Sequence, residues 1–178
     1  MVTKGFTKNL LGFSFVRGVK RGFSLYTAYD FTPLVLFMSV HAPSLQVRPA
    51  DGYAGDITPE IANEWMQSGA AVMIDVRTEA ELAWVGFVPG AVSVPWKKWP
   101  GMAMNPAFDD AVRAAANGKK IVLLCRSGVR SIAAAQRATE LGLEAYNILE
   151  GFEGDANPDG HRGIQGGWRM RGLPWRQN

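Results

Sequence analysis

Short apolar runs alternate with amphipathic segments between residues 57 and 149. The runs at 71–74 and 120–124 show no polar alternation, which is typical of parallel strands buried on both faces. Further strands are predicted at 91–94 and 145–149. Strands that alternate with helices at this spacing predict an α/β fold, in which a parallel β-sheet is flanked by helices on both faces.

Local start and stop signals place helices between these strands. Thr58-Pro59-Glu60 combines an N-cap residue, a proline at the first helical position and an acid in the first turn, and it predicts a helix to about residue 68. Residues 96–106 contain turn-forming prolines and are predicted to be a loop. Further helices are predicted at 79–85, 108–116, 129–141 and, as a short C-terminal helix, around Trp168.

Charge separates the first 50 residues from the rest. Residues 1–50 carry six basic residues against one acidic residue, a net charge of +5, which leaves −2 for residues 51–178 because the whole chain carries +3. We therefore divide the chain into an N-terminal extension (1–50) and one domain (51–178). The slightly acidic domain lacks the basic face that nucleic-acid binding requires, so no nucleic-acid partner is expected.

The extension has three open interpretations. Either translation begins at Met38 and residues 1–37 are not translated, or residues 1–50 form a disordered tail, or their basic, acid-poor composition marks a targeting peptide. The apolar run at 34–40 is too short to span a bilayer, which takes about 20 apolar residues, so no transmembrane segment is predicted. A cytoplasmic location is expected, with an organellar or exported one as the alternative if the extension is a targeting segment.

Residue types that bind metals and cofactors are sparse. The only cysteine, Cys125, excludes an intramolecular disulfide, and together with His41 and His161 it shows no metal-ligand spacing. The glycines at 163, 166 and 167 lack the spacing of a dinucleotide-binding fingerprint. Neither a metal nor a cofactor is therefore expected.

Cys125 stands directly after the most apolar predicted strand and directly before a helix. Ligands of open α/β sheets bind at the carboxyl ends of strands, and a tight strand-to-helix loop directs backbone N–H groups and a helix dipole toward an anion. Such a loop favours a thiolate over a thiol, which makes Cys125 the candidate nucleophile. Its neighbours add charge, hydroxyl donors and backbone freedom: Arg126, Ser127, Gly128, Val129, Arg130 and Ser131.

Four blocks of sequence carry a family resemblance across residues 57–176. The loop 125–131 resembles the active-site loop of rhodanese-like sulfurtransferases, and Asp75-Val76-Arg77 resembles that family's Asp-x-Arg motif. The segment 86–91 is similar to its Gly-His-Ile-Pro-Gly-Ala motif, although Phe87 replaces the usual histidine. Residues 149–152, followed by 167–175, resemble its C-terminal end. The blocks occur in the family's order and spacing.

The resemblance implies a single-domain sulfurtransferase of the thiosulfate sulfurtransferase type. Cys125 would take a sulfur atom from thiosulfate as a persulfide and pass it to cyanide, to a thiol or to an acceptor protein. The loop residues would bind the substrate, with Arg126 and Arg130 attracting an anionic donor. Asp75 and Arg77 would support the site by pairing with each other.

Two rival functions remain open. Cysteine-dependent phosphatases and arsenate reductases use a similar loop on an α/β scaffold, and a rhodanese-like domain can also be a non-catalytic binding module. The phosphate-transferring enzymes resemble the pattern Cys-x₅-Arg, whereas here the fifth position after Cys125 is Arg130 and the sixth is Ser131. The shorter loop favours a persulfide over a larger oxyanion.

Among the tryptophans, Trp96 and Trp99 either line the pocket or cover the core, and Trp168 is expected to anchor the C-terminal segment.

Overall fold

The two apolar runs of the sequence lie side by side at the centre of a parallel sheet. The computed structural model describes residues 46–178. Numbered along the chain, its strands are β1 (Gly55–Ile57), β2 (Ala71–Asp75), β3 (Val92–Ser93), β4 (Lys97–Lys98), β5 (Ala103–Met104), β6 (Lys120–Leu124) and β7 (Ala145–Ile148). Five of them form one parallel sheet in the order β1-β7-β6-β2-β3, while β4 and β5 form a separate antiparallel pair.

In the described part of the chain, four helices connect the strands, close to their predicted positions: α1 (Pro59–Gln67), α2 (Glu79–Val85), α3 (Phe108–Ala116) and α4 (Val129–Glu140). Thr58 caps α1 as predicted, and its hydroxyl accepts a hydrogen bond from the Ile61 amide at 3.5 Å. Thr78 caps α2 in a capping box, in which the Glu81 amide donates to the Thr78 hydroxyl and the Glu81 carboxylate accepts from the Thr78 amide. Such caps satisfy amides that the helix itself leaves unpaired.

Strand β6 shows why the sheet is covered on both faces, since its residues 121–124 are fully buried. Ile121 and Leu123 belong to a core cluster with residues of α3 and α4. Val122 and Leu124 belong to a second cluster with residues of α1 and with Trp168. Successive strand residues point to opposite faces, so the apolar run supplies both clusters at once. Trp168 is fully buried and anchors the C-terminal segment as predicted.

Two predicted elements are wrong. Residues 96–106 are not all loop, because they contain the β4–β5 pair, with Lys97 opposite Met104. The segment around Trp168 consists of turns instead of a helix. The reason is visible in its hydrogen bonds, since the Trp168 amide donates to the carbonyl of Gly151 and the Arg169 amide to that of Phe152, both far back in the chain.

The edges of the sheet also differ from expectation. Strand β1 was not predicted, because its three residues are too few to show a period. The predicted strand at 91–94 is reduced to Val92–Ser93, which pairs with the end of β2. Before β1, Arg48 forms an antiparallel bridge with Asp56.

The interpretations of residues 1–45, including a start at Met38 and a targeting peptide, lie outside the described residues. The boundary between extension and domain therefore stays a prediction. Within residues 46–178, no helix combines the length and apolar character needed to cross a membrane.

Candidate active site

Cys125 follows the last residue of β6 at the carboxyl edge of the sheet, and its side chain is 1% exposed. The Gly128 amide donates a hydrogen bond to the Cys125 sulfur over 3.2 Å, and the Ser131 hydroxyl lies 3.2 Å from it. Gly128 is the N-cap of α4 and has a φ of 91°, a left-handed conformation that favours glycine. The predicted strand–loop–helix arrangement therefore holds the sulfur at the positive end of a helix.

A second segment supports the cysteine loop from behind. The Phe152 amide donates to the Cys125 carbonyl at 2.8 Å, and the Glu153 amide donates to the Arg126 carbonyl at 2.9 Å. A Cβ atom at Gly151 would lie 2.5 Å from the Cys125 carbonyl oxygen and 2.6 Å from the Ser127 nitrogen, so a side chain does not fit there. The loop thus keeps its shape through backbone contacts with residues 151–153.

Asp75 and Arg77 form a buried ion pair, as predicted. The Arg77 Nη2 atom lies 2.6 Å from the Asp75 carboxylate, and the two side chains are 0% and 1% exposed. Arg77 also donates to the Gly86 carbonyl at 2.9 Å, and its guanidinium lies 4.0 Å from the centre of the Phe152 ring. Losing one partner of a buried pair typically costs about 3–5 kcal/mol, because the other charge stays buried without compensation.

The two arginines of the loop differ in their surroundings. Arg130 forms a bidentate pair with Glu81, with distances of 2.8 and 2.6 Å. Arg126 is exposed and forms no ion pair within residues 46–178. That both arginines attract an anionic donor stays a prediction, and the Glu81 carboxylate balances much of the charge of Arg130.

The partnership with Arg130 also changes the acidity of Glu81. Burial of the Glu81 carboxyl raises its pKa. The hydrogen bonds and positive charge of Arg130, together with the hydrogen bonds from Thr78, outweigh this effect, so that the pKa falls from 4.5 to about 2. The carboxylate that caps α2 is thus also the partner of the first turn of α4. Sequence reasoning missed this pairing.

A chain of polar side chains beneath the cysteine was also missed. Ser131 Oγ lies 2.6 Å from Asn147 Oδ1, the Asn147 amide group donates to Asp56 at 2.8 Å, and the Tyr53 hydroxyl donates to Asp56 at 2.8 Å. Because Asp56 accepts from the Asn147 amide nitrogen, the Asn147 oxygen is directed at Ser131. Asn147 and the Gly128 carbonyl, which lies 3.1 Å from Ser131 Oγ, therefore compete with the Cys125 sulfur for the one proton of the Ser131 hydroxyl. The available signal was a polar residue inside a predicted buried strand.

A cavity of about 860 Å³ opens beside the cysteine. It is lined by Cys125, by loop residues Arg126, Ser127, Val129 and Arg130, and by side chains from α2 and from the β4–β5 connection. Of the two tryptophans that were expected either to line the pocket or to cover the core, Trp99 lines the cavity. Trp96 instead covers the core, because its ring packs edge-on against Phe108 with centroids 4.6 Å apart.

Within residues 46–178, no group of metal-ligating side chains is arranged to hold an ion.

Comparison with known proteins agrees with this geometry. Residues 58–157 match the rhodanese-like domain family, and the match includes Asp75, Arg77 and the whole cysteine loop. The matched segment is more than half of the 178 residues. The chain therefore belongs to the rhodanese-like domain family.

Individual relatives share the same domain. The crystal structure of Rv0390 from M. tuberculosis is 44% identical, with a TM-score of 0.64 over 71% of this chain and 99% of that one. An uncharacterized protein of Rickettsia conorii is 37% identical over 111 residues, which are 59% of this chain and 82% of the relative. The tRNA uridine(34) hydroxylase of Cupriavidus taiwanensis is 32% identical over 114 residues, which cover 59% of this chain but 38% of that enzyme.

Opposite substitutions in the polar chain should move cysteine reactivity in opposite directions. Ser131→Ala removes a donor to the Cys125 sulfur, so alkylation by iodoacetamide at pH 7 should become roughly tenfold slower. Asn147→Leu removes one of the two oxygens that compete with sulfur for the Ser131 hydroxyl proton, the other being the Gly128 carbonyl, and should make alkylation faster. Alkylation rates at pH 7, followed by mass spectrometry, check both variants. Slower alkylation in both variants would mean that Asn147 acts only through folding.

Removing the negative charge of Glu81 should weaken the dependence of the free energy of unfolding on pH in the acid range. Since the folded pKa lies below the ordinary value, the Glu81 charge stabilises the protein above about pH 4.5, and this contribution is lost as the pH falls toward about 2. Glu81→Gln should cost about 1–2 kcal/mol at pH 7 after allowance for solvent screening, and the difference from wild type should shrink toward pH 2.

Urea unfolding at several pH values measures this difference. Glu79→Gln is the matched control, because Glu79 is an exposed acid in the same first turn of α2 and has no arginine partner within residues 46–178. A difference between Glu81→Gln and wild type that does not change with pH would contradict the ion-pair explanation.

Proposed function

We propose that this protein is a sulfurtransferase that moves a sulfane sulfur from thiosulfate or a similar donor to a thiophilic acceptor. The observation that carries the proposal is the Cys125 sulfur, which accepts a hydrogen bond from the Gly128 amide at the N-terminus of α4. Donors in this position stabilise the thiolate, which is the nucleophilic form of cysteine.

The reaction proceeds in two displacement steps. In the first, the Cys125 thiolate attacks the outer sulfur of thiosulfate, the sulfur–sulfur bond of the donor breaks, and sulfite leaves with the bonding electron pair. In the second, cyanide or a thiolate attacks the outer sulfur of the Cys125 persulfide, and the Cys125 thiolate leaves. The enzyme form between the two steps is the persulfide, as in other covalent, ping-pong mechanisms.

The acceptor must come from outside the chain. The sequence contains one cysteine, so no second thiol of the same chain can resolve the persulfide. A small thiol, cyanide or an acceptor protein can play this part. No cofactor is needed, because both steps are displacements at sulfur.

Sulfur transfer is favoured over the rival functions by the loop itself. Only four residues separate Cys125 from Arg130, and Arg130 is engaged by Glu81, whereas a bound phosphoryl group has several oxygens that all require donors. A silent binding module needs neither a buried sulfur with an amide donor nor a cavity beside it. The similarity to tRNA uridine(34) hydroxylases covers 38% of such an enzyme and gives no support for assigning tRNA hydroxylation to this chain.

Incubation with thiosulfate should add one sulfur atom to the intact protein, and cyanide should remove it as thiocyanate. Cys125→Ser should abolish both the mass increase and the turnover. Intact-protein mass spectrometry and a thiocyanate assay measure these outcomes. Turnover in the serine variant, or robust hydrolysis of an aryl phosphate that depends on Cys125, would contradict the proposal.

Substitutions that remove a positive or a negative charge near Cys125 should change kcat/KM for an anionic donor in opposite directions. Arg126→Ala removes the unpaired positive charge beside Cys125 and should lower kcat/KM for thiosulfate roughly ten- to hundredfold, the effect of one charged hydrogen bond. Glu81→Gln releases Arg130 and should raise kcat/KM several-fold. Steady-state kinetics with thiosulfate and with an uncharged sulfane-sulfur donor measure the effect. Equal changes for both donors would indicate that these residues act on the fold and not on donor charge.

A further inference from the structure

The cavity beside Cys125 is much larger than the donor requires. Its volume is about 860 Å³, within the range of roughly 300–1,000 Å³ that is typical of sites for organic ligands. Thiosulfate and cyanide are small inorganic ions, and both would leave most of this space to water. The size of the cavity therefore points to a second, larger reactant.

Several large apolar side chains in the walls of the cavity are exposed to solvent. Trp84 is 81% exposed, Trp99 64%, Met102 38% and Val129 70%. These four are among the nine large hydrophobic side chains that are exposed within residues 46–178, and all four line this cavity. Apolar side chains that gather around one hollow mark a binding site, whereas scattered ones need no explanation.

The shape of the apolar surface favours a small molecule over a protein. Trp84 comes from α2, Trp99 and Met102 from the connection between β4 and β5, and Val129 from the first turn of α4. Three separate elements thus surround a hollow that Cys125 also lines. A flat patch on one element would suit a protein partner better, while an apolar hollow between several elements suits one compact organic body.

Charges along the cavity fit the approach of a thiolate. Arg126, Arg130 and Arg162 line it, against the two acids Glu81 and Asp155. The resulting excess of positive charge attracts an anion to the neighbourhood of Cys125. The apolar walls exclude water from the rest of the molecule that carries this anion.

We propose that the sulfur acceptor of this protein is an organic thiol with an aromatic or other bulky apolar body, which lies against Trp84, Trp99 and Met102. This inference rests on the proposed sulfurtransferase function. The acceptor thiolate attacks the outer sulfur of the Cys125 persulfide, its sulfur becomes bonded to that outer sulfur, and the Cys125 thiolate departs. The product is the persulfide of the acceptor.

The test compares two thiols of similar acidity, benzyl mercaptan and 2-mercaptoethanol, with cyanide as the small reference acceptor. The full-length protein is first loaded with thiosulfate, freed of excess donor, and mixed with each acceptor in single-turnover experiments. Benzyl mercaptan should react at least tenfold faster than 2-mercaptoethanol. Loss of persulfide mass and formation of the acceptor persulfide are followed together.

Substitutions separate binding by the walls from intrinsic reactivity. Trp84→Ala should reduce the benzyl mercaptan to cyanide rate ratio about three- to tenfold, as expected for loss of an aromatic contact, and Trp84→Phe should largely restore it. Trp99→Ala should act in the same direction. Met170→Ala is the matched control, because Met170 is 56% exposed but does not line the cavity.

The possible failures are distinguishable. If cyanide removes the persulfide sulfur but the two thiols react equally and the tryptophan variants behave like wild type, the inference is wrong and the proposed function stands. That result would direct attention to an acceptor protein. If no persulfide forms with thiosulfate, the proposed function is overturned, and the acceptor inference with it.

Discussion

The buried ion pair between Asp75 and Arg77 is the interaction on which the site most depends. Each charge is almost completely removed from water, so each is stable only because the other is present. The guanidinium of Arg77 also binds the carbonyl of Gly86 and lies over the ring of Phe152. Since the Phe152 amide binds the carbonyl of Cys125, one ion pair joins the end of β2, the end of α2 and the backbone of the cysteine loop.

The cysteine loop is therefore held by contacts on two sides. Residues 151–153 hold its backbone from behind, and Glu81 holds Arg130 at its far end. Because Glu81 also completes the capping box of α2, the orientation of that helix is coupled to the first turn of α4. Trp84 therefore belongs to a helix that is paired with the cysteine loop through Glu81 and Arg130. The loop that carries Cys125 and the helix that forms one wall of the cavity are thus connected.

The sequence predicts what depends on neighbouring residues and misses what depends on distant ones. The caps of α1 and α2 and the apolar run of β6 are local signals, and the loop 125–131 is contiguous, so these features were predictable. Glu81 and Arg130 are 49 positions apart, and their pairing exists only once α2 and α4 face each other. Asn147 could be suspected from its polarity in a buried strand, but its link to Ser131 depends on how β7 and α4 pack. The helix predicted around Trp168 is absent for a related reason, since the Trp168 amide is bound by the distant Gly151.

The order of the strands has a consequence for how the chain reaches this structure. β1 pairs with β7, and the facing residues Asp56 and Asn147 are 91 positions apart. During synthesis β1 therefore emerges from the ribosome long before β7, and β1 has no pairing partner until residue 148 has emerged. Contacts over such separations carry a high entropic cost of loop closure, which slows folding. The hydrogen bond between Asp56 and Asn147 spans the same sequence separation, so the chain of polar side chains beneath Cys125 is complete only once β1 and β7 have come together.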